Sequence, residues 1–162
     1  MGLSGARVTL DRITPELARR IVDRAEEAGD DWDAEYPLAD ELDPLRGLAA
    51  STDPDPIFTM YVIRRSSDGR AVGGLGFFGP PDEEGRIEFG YGLVAGARNQ
   101  GLATEAVQVA LSFAAQHGAR IAAADTEVSN VPSQRVLAKA GLRETGRDGS
   151  RILYARALSA GS

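Results

Sequence analysis

Apolar side chains recur with two different spacings along the N-terminal part of the chain. From Arg7 to Leu10 apolar and polar residues alternate one by one, which predicts a strand. Thr14 offers a hydroxyl cap and Pro15 a first helical position that needs no amide hydrogen, so a helix is expected to begin there. Its apolar residues recur at helical spacing up to a stop at Gly29, through Leu17, Ile21 and Ala25.

The periodic pattern fades between Asp30 and Asp55, where acidic residues become frequent around Trp32 and Tyr36. One interpretation is a solvated loop with a short helix near Leu45–Ala50. The other is an acidic lip that attracts a protonated amine, because opposite charges draw a cationic ligand inward. The sequence leaves both interpretations open.

Three strands are predicted in the middle of the chain. They cover Phe58–Arg64, Ala71–Phe78 and Arg86–Val94, which are rich in β-branched and aromatic residues. Short turns around Gly69 and Gly85 separate them. Such short connections are typical of an antiparallel meander.

A glycine motif in the second of these strands imitates a nucleotide-binding fingerprint. Gly74, Gly76 and Gly79 have the G-x-G-x-x-G spacing of dinucleotide-binding loops. That loop must lead into a helix, whereas Pro80 and Pro81 prevent a helix here. The glycines therefore indicate a strand that a ligand or another backbone approaches closely.

The C-terminal half alternates helices and strands. A helix is predicted from Leu102 to a cap at His117, and a buried strand follows over Arg120–Val128. Asn130 caps a second helix, which ends at Gly141. A hairpin then closes the chain, with strands at Leu142–Thr145 and Ile152–Leu158 and a turn at residues 146–149.

The stretch from Gly90 to Glu105 joins a strand to a helix through a glycine-containing loop with one arginine, Arg98. Amide N–H groups at a helix start, together with the positive end of the helix dipole, can bind a pyrophosphate without a metal ion. The stretch therefore predicts a phosphate cradle. A purely structural turn between a strand and a helix is the alternative.

Glu88 lies in the strand that leads into this loop. Its side chain shares one strand face with Gly90 and Gly92. Burying a carboxylate is costly unless it is paired or takes part in chemistry, so Glu88 is a candidate catalytic group. An edge position or an ion pair with an arginine is the structural alternative.

Length and composition restrict the class of protein. A chain of 162 residues, 43% of them hydrophobic, suits a single domain over residues 1–162. The net charge of −6 disfavours a nucleic-acid surface, and the absence of cysteine excludes a cysteine intermediate and thiolate metal sites. Neither a signal peptide nor an apolar run of roughly 20 residues is present, so no membrane association and a cytoplasmic location are expected.

Three motifs occur in this chain at informative separations. They are Glu88-Phe89-Gly90-Tyr91-x-Leu93-Val94, then Arg98-x-x-Gly101-x-Ala103 with Thr104-Glu105-Ala106, and finally Asn130-x-x-Ser133-x-x-Val136-Leu137-x-Lys139-x-Gly141-Leu142. Together with the element order they resemble the GCN5-related N-acetyltransferase (GNAT) superfamily, within it the branch of the ribosomal-protein N-terminal acetyltransferases of the RimJ and RimL type. The resemblance implies an α+β (mixed α/β) fold: a central, mostly antiparallel twisted sheet of about seven strands with helices on both faces.

The resemblance also implies acetyl-CoA as co-substrate, with no metal. Leu93 and Val94 would offer backbone hydrogen bonds to the pantetheine arm, in a gap where the family's fourth and fifth strands splay apart. Asn130 and Ser133 would lie beside the pantetheine and the sulfur. The pyrophosphate would be lined, mainly through main-chain N–H groups, by Arg98, Asn99, Gln100, Gly101, Leu102, Ala103 and Thr104.

Direct transfer to an amine, the family's usual route, sets two chemical requirements. An amine attacks only in its neutral form, so a base is needed, and Glu88 is the candidate because it is the only acid in the strand that leads to the acyl site. The departing thiolate needs a proton. Many relatives carry a tyrosine for this in the helix where this chain has Leu137, so Ser133 is the candidate here and Tyr154 the second option.

Two further positions depart from the ribosomal branch. Gly92 stands where that branch often has tryptophan, which widens the acceptor pocket and disfavours a ribosomal substrate. Asn99 stands where glycine is common, and asparagine tolerates the left-handed conformation, so the loop is expected to keep its shape.

The leading hypothesis is an N-acetyltransferase that moves an acetyl group directly from acetyl-CoA to a primary amine of a small molecule or of a peptide or protein N-terminus. The alternative is an acyl-CoA-binding module without catalytic activity, and a third is a non-enzymatic α+β interaction domain. The oligomeric state stays open, although many relatives of this kind are homodimers.

Overall fold

The computed structural model describes residues 3–159. Its helices are α1 Pro15–Val22, α2 Leu42–Ala49, α3 Leu102–Gln116 and α4 Val131–Lys139, with short 3-10 turns at Ala39–Glu41 and Ala95–Ala97. Its strands are β1 Leu3–Ser4, β2 Val8–Arg12, β3 Met60–Arg65, β4 Ala71–Phe77, β5 Arg86–Leu93, β6 Ile121–Glu127, β7 Arg143–Asp148 and β8 Arg151–Ala157.

All eight strands belong to one sheet, in the order β1-β2-β3-β4-β5-β6-β8-β7. Neighbouring strands are antiparallel except β5 and β6, which are parallel. The predicted mixed, mostly antiparallel sheet is therefore confirmed. The eighth strand is β1, which pairs with β2 through Leu3 and Ser4.

Helices cover both faces of the sheet, as predicted. On one face, Tyr61 of β3 packs edge-on against Phe113 of α3, and Tyr91 of β5 bonds to Ser133 of α4. On the other face, Glu41 at the start of α2 lies directly over Gly74 of β4. Within residues 3–159, no helix is long and apolar enough to cross a membrane.

Two predicted boundaries are wrong. Helix α1 ends at Val22 rather than near Gly29, because Arg24 adopts a positive φ of 54° that turns the chain out of the helix. Ala25, predicted as part of the apolar stripe, is exposed as a result. The last hairpin turns at Gly149, whereas Gly146 lies inside β7 beside a register shift.

The predicted splay lies between the two parallel strands. β5 and β6 pair only through Arg86–Ile121, Ile87–Ala122 and Glu88–Ala123. Beyond Ala123, β6 continues to Glu127 with β8 as its paired neighbour. Residues 89–93 of β5 and 124–127 of β6 therefore border an opening in the sheet, called the splayed gap below.

Candidate functional site

The loop before α3 presents a row of free backbone donors. The amide N–H groups of residues 99–104 donate to no acceptor in the part of the chain that the structure describes. They surround the start of a 15-residue helix, where the helix dipole adds positive potential. This row, called the amide cradle below, has the donors and the charge that a pyrophosphate requires.

Two left-handed residues shape the amide cradle. Asn99 has φ 62° and Gly101 has φ 77°. Asparagine and glycine are the residues that adopt this region at low cost, so the expectation that Asn99 preserves the loop is confirmed. Arg98 turns its side chain back, and its Nε donates to the Leu93 carbonyl at 3.1 Å.

Arg7, in the bend just before β2, bonds to the backbone carbonyl groups of the amide cradle. Arg7 donates from Nη1 to the Gln100 carbonyl at 2.6 Å and from Nη2 to the Gly101 carbonyl at 3.5 Å. Glu105 in turn pairs with Arg7 Nε at 3.3 Å and accepts from the Arg7 and Val8 amides. Because C=O and N–H point in opposite directions across a trans peptide, these contacts direct the next two amides away from Arg7.

Backbone alternation decides which groups of β5 face the splayed gap. The Glu88 carbonyl accepts from the Phe78 amide at 2.9 Å, and the Val94 amide donates to the Val72 carbonyl at 2.8 Å. Even-numbered residues therefore bond to β4, and the backbone groups of odd-numbered residues point toward the gap. These odd-numbered residues include Tyr91 and Leu93.

The two predicted pantetheine contacts consequently differ. Val94 uses its carbonyl as well as its amide within the protein, since the carbonyl accepts from Ala97 at 3.0 Å. Leu93 has its carbonyl bound by Arg98, which leaves its N–H as the group that faces the gap. The structure thus favours Leu93 and Tyr91 over Val94 as the strand edge available to a ligand.

Hydroxyl groups meet across the splayed gap. Tyr91 Oη lies 2.9 Å from Ser133 Oγ, so β5 and α4 are joined by a hydrogen bond there. Burial raises the pKa of the Tyr91 phenol; the bond to Ser133 opposes this shift and nearby Tyr154 adds to it. Leu137 is a fully buried hydrocarbon side chain, and a hydrocarbon has no proton to donate. The motifs made Ser133 a candidate and assigned no role to Tyr91; the role of Ser133 stays a prediction.

Asn130 has a structural task in the described chain. Its side-chain oxygen accepts from the Ser133 amide at 3.2 Å and caps α4, as predicted for this residue type. The cap places Ser133 in the first turn of the helix. A contact between Asn130 and pantetheine stays a prediction.

Glu88 is more open than the sequence suggested. Its side chain is 60% exposed, and Arg86 lies 3.9 Å away as an ion-pair partner. The structural alternative, an ion pair with an arginine, matches this geometry, and the expectation of a buried carboxylate is wrong. Strand alternation assigns a residue to a face and carries no information on the depth at which that face is covered. Its role as a base stays a prediction.

Four glycines form a bare patch on the sheet face that α2 covers. Gly74 pairs with Gly92, and Gly76 pairs with Gly90, so the four lie side by side across β4 and β5. This patch is called the glycine floor below. Gly74, Gly76 and Gly79 do not lead into a helix, because β4 and the residues after it stay extended or turn.

Aliphatic and aromatic side chains border the glycine floor. A Cβ on Gly92 would meet Leu38, one on Gly76 would contact Met60, and one on Gly90 would meet Phe78. A Cβ on Gly74 would overlap the Glu41 carboxylate. The close approach at Gly74 comes from the Glu41 side chain, which sequence reasoning missed, whereas a Cβ on Gly79 would meet nothing within 4 Å. The approach of a ligand or another backbone to these glycines stays a prediction.

Comparisons with known proteins agree with this geometry. The sequence model of the family described as "Acetyltransferase (GNAT) domain" matches residues 7–143. A Bacillus subtilis protein described as "Uncharacterized N-acetyltransferase YjdG" is 31% identical over 120 residues, which are 71% of this chain and 71% of that protein.

Solved structures share the whole fold at low sequence identity. RimL, a ribosomal L7/L12 α-N-protein acetyltransferase in complex with coenzyme A, superposes with a TM-score of 0.72 at 16% identity and covers 99% of both chains. Mycobacterium smegmatis RimJ, in complex with CoA-disulfide, has a TM-score of 0.66 at 23% identity, covering 93% of this chain and 82% of its own. A GNAT-family acetyltransferase from Bacillus anthracis has a TM-score of 0.69 at 17% identity, covering 97% and 98%.

The family model matches most of the chain, and the relative that is more than 30% identical is described as an N-acetyltransferase. Both findings agree with the geometry of the amide cradle and the splayed gap. The three motifs that suggested the family are all placed around these two features. The protein is a member of the GNAT acetyltransferase family.

Proposed function

We propose that this protein transfers an acetyl group from acetyl-CoA to a primary amine, either of a small molecule or of a peptide or protein N-terminus. The observation that carries the proposal is the continuity of the amide cradle with the free edge of β5. Among the described residues, the six unpaired amides of residues 99–104 follow that strand after one short 3-10 turn, and the splayed gap begins beside the same strand. A carrier with a phosphate-rich end and an extended acyl arm fits this layout.

Each part of the carrier has matching groups. The pyrophosphate takes the amides of Asn99, Gln100, Gly101, Leu102, Ala103 and Thr104, with Arg98 beside them. The pantetheine takes the backbone edge at Leu93 and Tyr91, close to Asn130 and Ser133.

The leaving thiolate takes its proton from the hydroxyl pair in the gap. Ser133 Oγ donates to the sulfur, and Tyr91 Oη replaces that proton through their 2.9 Å contact. A relay of this kind substitutes for the tyrosine that Leu137 replaces. Glu88 is the base that the sequence predicts. Its side chain is exposed, so a substitution there tests this role directly.

The acceptor class follows from the open glycine floor and from the negative charge of the chain. An enzyme with a net charge of −6 attracts protonated amines. RimL, which shares the fold, is described as an α-N-protein acetyltransferase, and this makes a peptide N-terminus a reasonable acceptor. A cytoplasmic location and a homodimer stay predictions.

Two measurements test the proposal. Calorimetric titration with acetyl-CoA should show binding, and no heat at high micromolar ligand would end both the transferase and the binding-module hypotheses. Release of free thiol should then depend on an added primary amine, whereas a binding module would bind acetyl-CoA and release none. Ser133→Ala should slow turnover about 10-fold or more with little change in CoA affinity, and Ser67→Ala, in the exposed turn between β3 and β4, is the control.

A further inference from the structure

Glu41 holds one carboxylate oxygen in place and leaves the other without a donor. Oε2 accepts from the Leu38 amide at 3.0 Å. Oε1 lies against Gly74, and no donor within residues 3–159 reaches it. The carboxylate is thus anchored by its own loop and directs its free lone pairs at the sheet.

No cation pairs with the Glu41 carboxylate within residues 3–159. Burial raises the pKa of Glu41 to about 7, the bond from the Leu38 amide opposes this shift, and the neighbouring Asp40 adds to it. The other titratable group that faces it is Tyr36, from the same insert. β4 contributes only Gly74 at this point.

Tyr36 adds a second incomplete group. Its side chain is buried, and its hydroxyl has no hydrogen-bond partner in the described chain. Burial and then the charge of Glu41 raise the pKa of this phenol, so the two side chains lie within electrostatic reach of each other. Buried polar groups without partners are costly and rare, and two together indicate a ligand that completes them.

The remaining borders of the floor are apolar. Gly76, Gly90 and Gly92 are partly exposed, so the floor is open to a ligand. Phe78, which is 67% exposed, and Met60 border it on the side away from Glu41. A ligand that lies on the floor therefore meets a carboxylate at one end and hydrocarbon at the other.

We propose that Glu41 binds the ammonium group of the acceptor and takes its proton, and that the acceptor is a primary amine on an apolar or aromatic body. This inference rests on the proposed function. Glu41 accepts one proton from the ammonium, and the neutral nitrogen forms the bond to the acetyl carbon. The carbon–sulfur bond breaks as the gap hydroxyls protonate the sulfur, and CoA leaves as the thiol. The nitrogen gives its second proton to water, water returns a proton to the Tyr91–Ser133 pair, and Glu41 releases its proton to solvent.

Glu88 provides the direct comparison. It lies on the same sheet face as Gly90 and is largely exposed, with Arg86 as an ion partner, whereas Glu41 is half-buried and has no ion partner within residues 3–159. A covered carboxylate with a raised pKa is half ionised at neutral pH, which suits a base. The two residues can be exchanged for glutamine separately.

The kinetic test uses 2-phenylethylamine as the apolar amine and spermidine as the polycation. Glu41→Gln keeps the acceptor for the Leu38 amide, so the loop should remain folded. We expect kcat/KM for 2-phenylethylamine to fall about 100-fold or more, with unchanged CoA affinity. Wild-type kcat/KM should rise with pH through a pKa near that of Glu41 and should favour 2-phenylethylamine over spermidine.

Matched variants isolate the effect. Asp43→Asn alters an exposed acid two residues from Glu41 and should leave kcat/KM unchanged. Gly76→Ala adds a methyl to the floor in ordinary contact distance of Met60, so it should raise the KM for the amine without affecting CoA binding. Full activity of Glu41→Gln, a large loss confined to Glu88→Gln, or a preference for spermidine would each overturn the proposal.

A titration without turnover keeps the test independent of acetyl transfer. Carbon-13 labelling of glutamate should show one carboxyl with a pKa near 7, absent in Glu41→Gln. Added 2-phenylethylamine should lower that pKa, with or without CoA. If the amine leaves it unchanged, or if Glu41→Gln loses CoA binding together with activity, Glu41 is structural and the proposal fails.

Discussion

The amide cradle and the glycine floor, which we propose to be the two ends of one site, are built in opposite ways. The cradle consists of backbone donors around the exposed residues Asn99 and Gln100, and it owes its positive potential to the direction of α3. The floor consists of missing side chains, and the carboxylate that lies over it belongs to Glu41.

This difference determines what each region tolerates. The backbone amides of the cradle keep their positions whatever side chains these residues have, as long as Asn99 and Gly101 can adopt the left-handed conformation. The floor depends instead on four positions without a Cβ and on the cover over Glu41. Substitutions in the cradle should therefore act through conformation, and those in the floor through volume and charge.

The largest expected effect concerns the glycine floor and is a pH dependence of the free energy of unfolding. Glu41 has a pKa of about 7 in the folded protein and 4.5 as its ordinary value. Below about pH 4 both states hold the proton. As the pH rises to 7 the unfolded chain releases it first, so the free energy of unfolding should fall by up to about 3 kcal/mol and then stay constant.

Urea denaturation of wild type and Glu41→Gln between pH 4.5 and 8 measures this effect. The variant should lose the decline and should exceed the wild type in stability at pH 8. Parallel curves for the two proteins would show that Glu41 ionises as easily in the fold as in the unfolded chain.

Gly101→Val should have the next largest effect, on the cradle side. A β-branched residue at φ 77° is strained, and its Cβ would lie 2.8 Å from Arg7 Nη2. We expect the Kd for CoA to rise about 100-fold, equivalent to about 2.7 kcal/mol. Calorimetry measures it, and Gly96→Ala, which has open space around its Cβ, should change Kd less than about threefold.

Arg7→Gln tests how much the contacts of Arg7 support the amide cradle. The variant loses the contacts to the Gln100 and Gly101 carbonyls and the pair with Glu105. We expect an approximately 10-fold rise in Kd for CoA, equivalent to about 1.4 kcal/mol, with kcat at saturating acetyl-CoA retained. Arg46→Gln, which loses an exposed pair with Asp43, is the control. Equal affinities for Arg7→Gln and wild type would rule out this supporting role.

The smallest expected effect is a gain in stability. Gly47 is exposed inside α2, and a Cβ there would meet no atom within 4 Å. Gly47→Ala should stabilise the fold by about 0.5–1 kcal/mol through helix propensity, with unchanged kinetics. A thermal melt measures the gain, and a lower melting temperature would show that α2 needs the flexibility of glycine.

The cradle could be predicted from the sequence because its determinants are local. Asn99, Gly101 and the helix that follows are neighbours in the chain, and Asn130 caps the residue three positions on. The motif order and the strand periodicities led in the same way to a mixed sheet with helices on both faces.

The acceptor side could not be predicted, because its determinants are tertiary. Glu41 is one acid among many in an irregular insert, and only the fold places it over Gly74. Glu88 shows the converse, since its face was assigned correctly and its depth was not. The contacts between Arg7 and the cradle likewise join distant segments without a local pattern.

The narrow join between β5 and β6 has a mechanical consequence. Three residue pairs connect the five-strand part of the sheet to the three-strand part, whereas β6 and β8 share seven. The two parts can therefore rotate relative to each other about this short connection. Amide hydrogen exchange should be fastest along the unpaired edges of β5 and β6. If acetyl-CoA binds in the splayed gap, as we propose, it adds contacts across the gap, and at 100 times its Kd it should raise the free energy of unfolding by about 2.7 kcal/mol. Substrate binding and cooperative unfolding are thus coupled through the three residue pairs between β5 and β6.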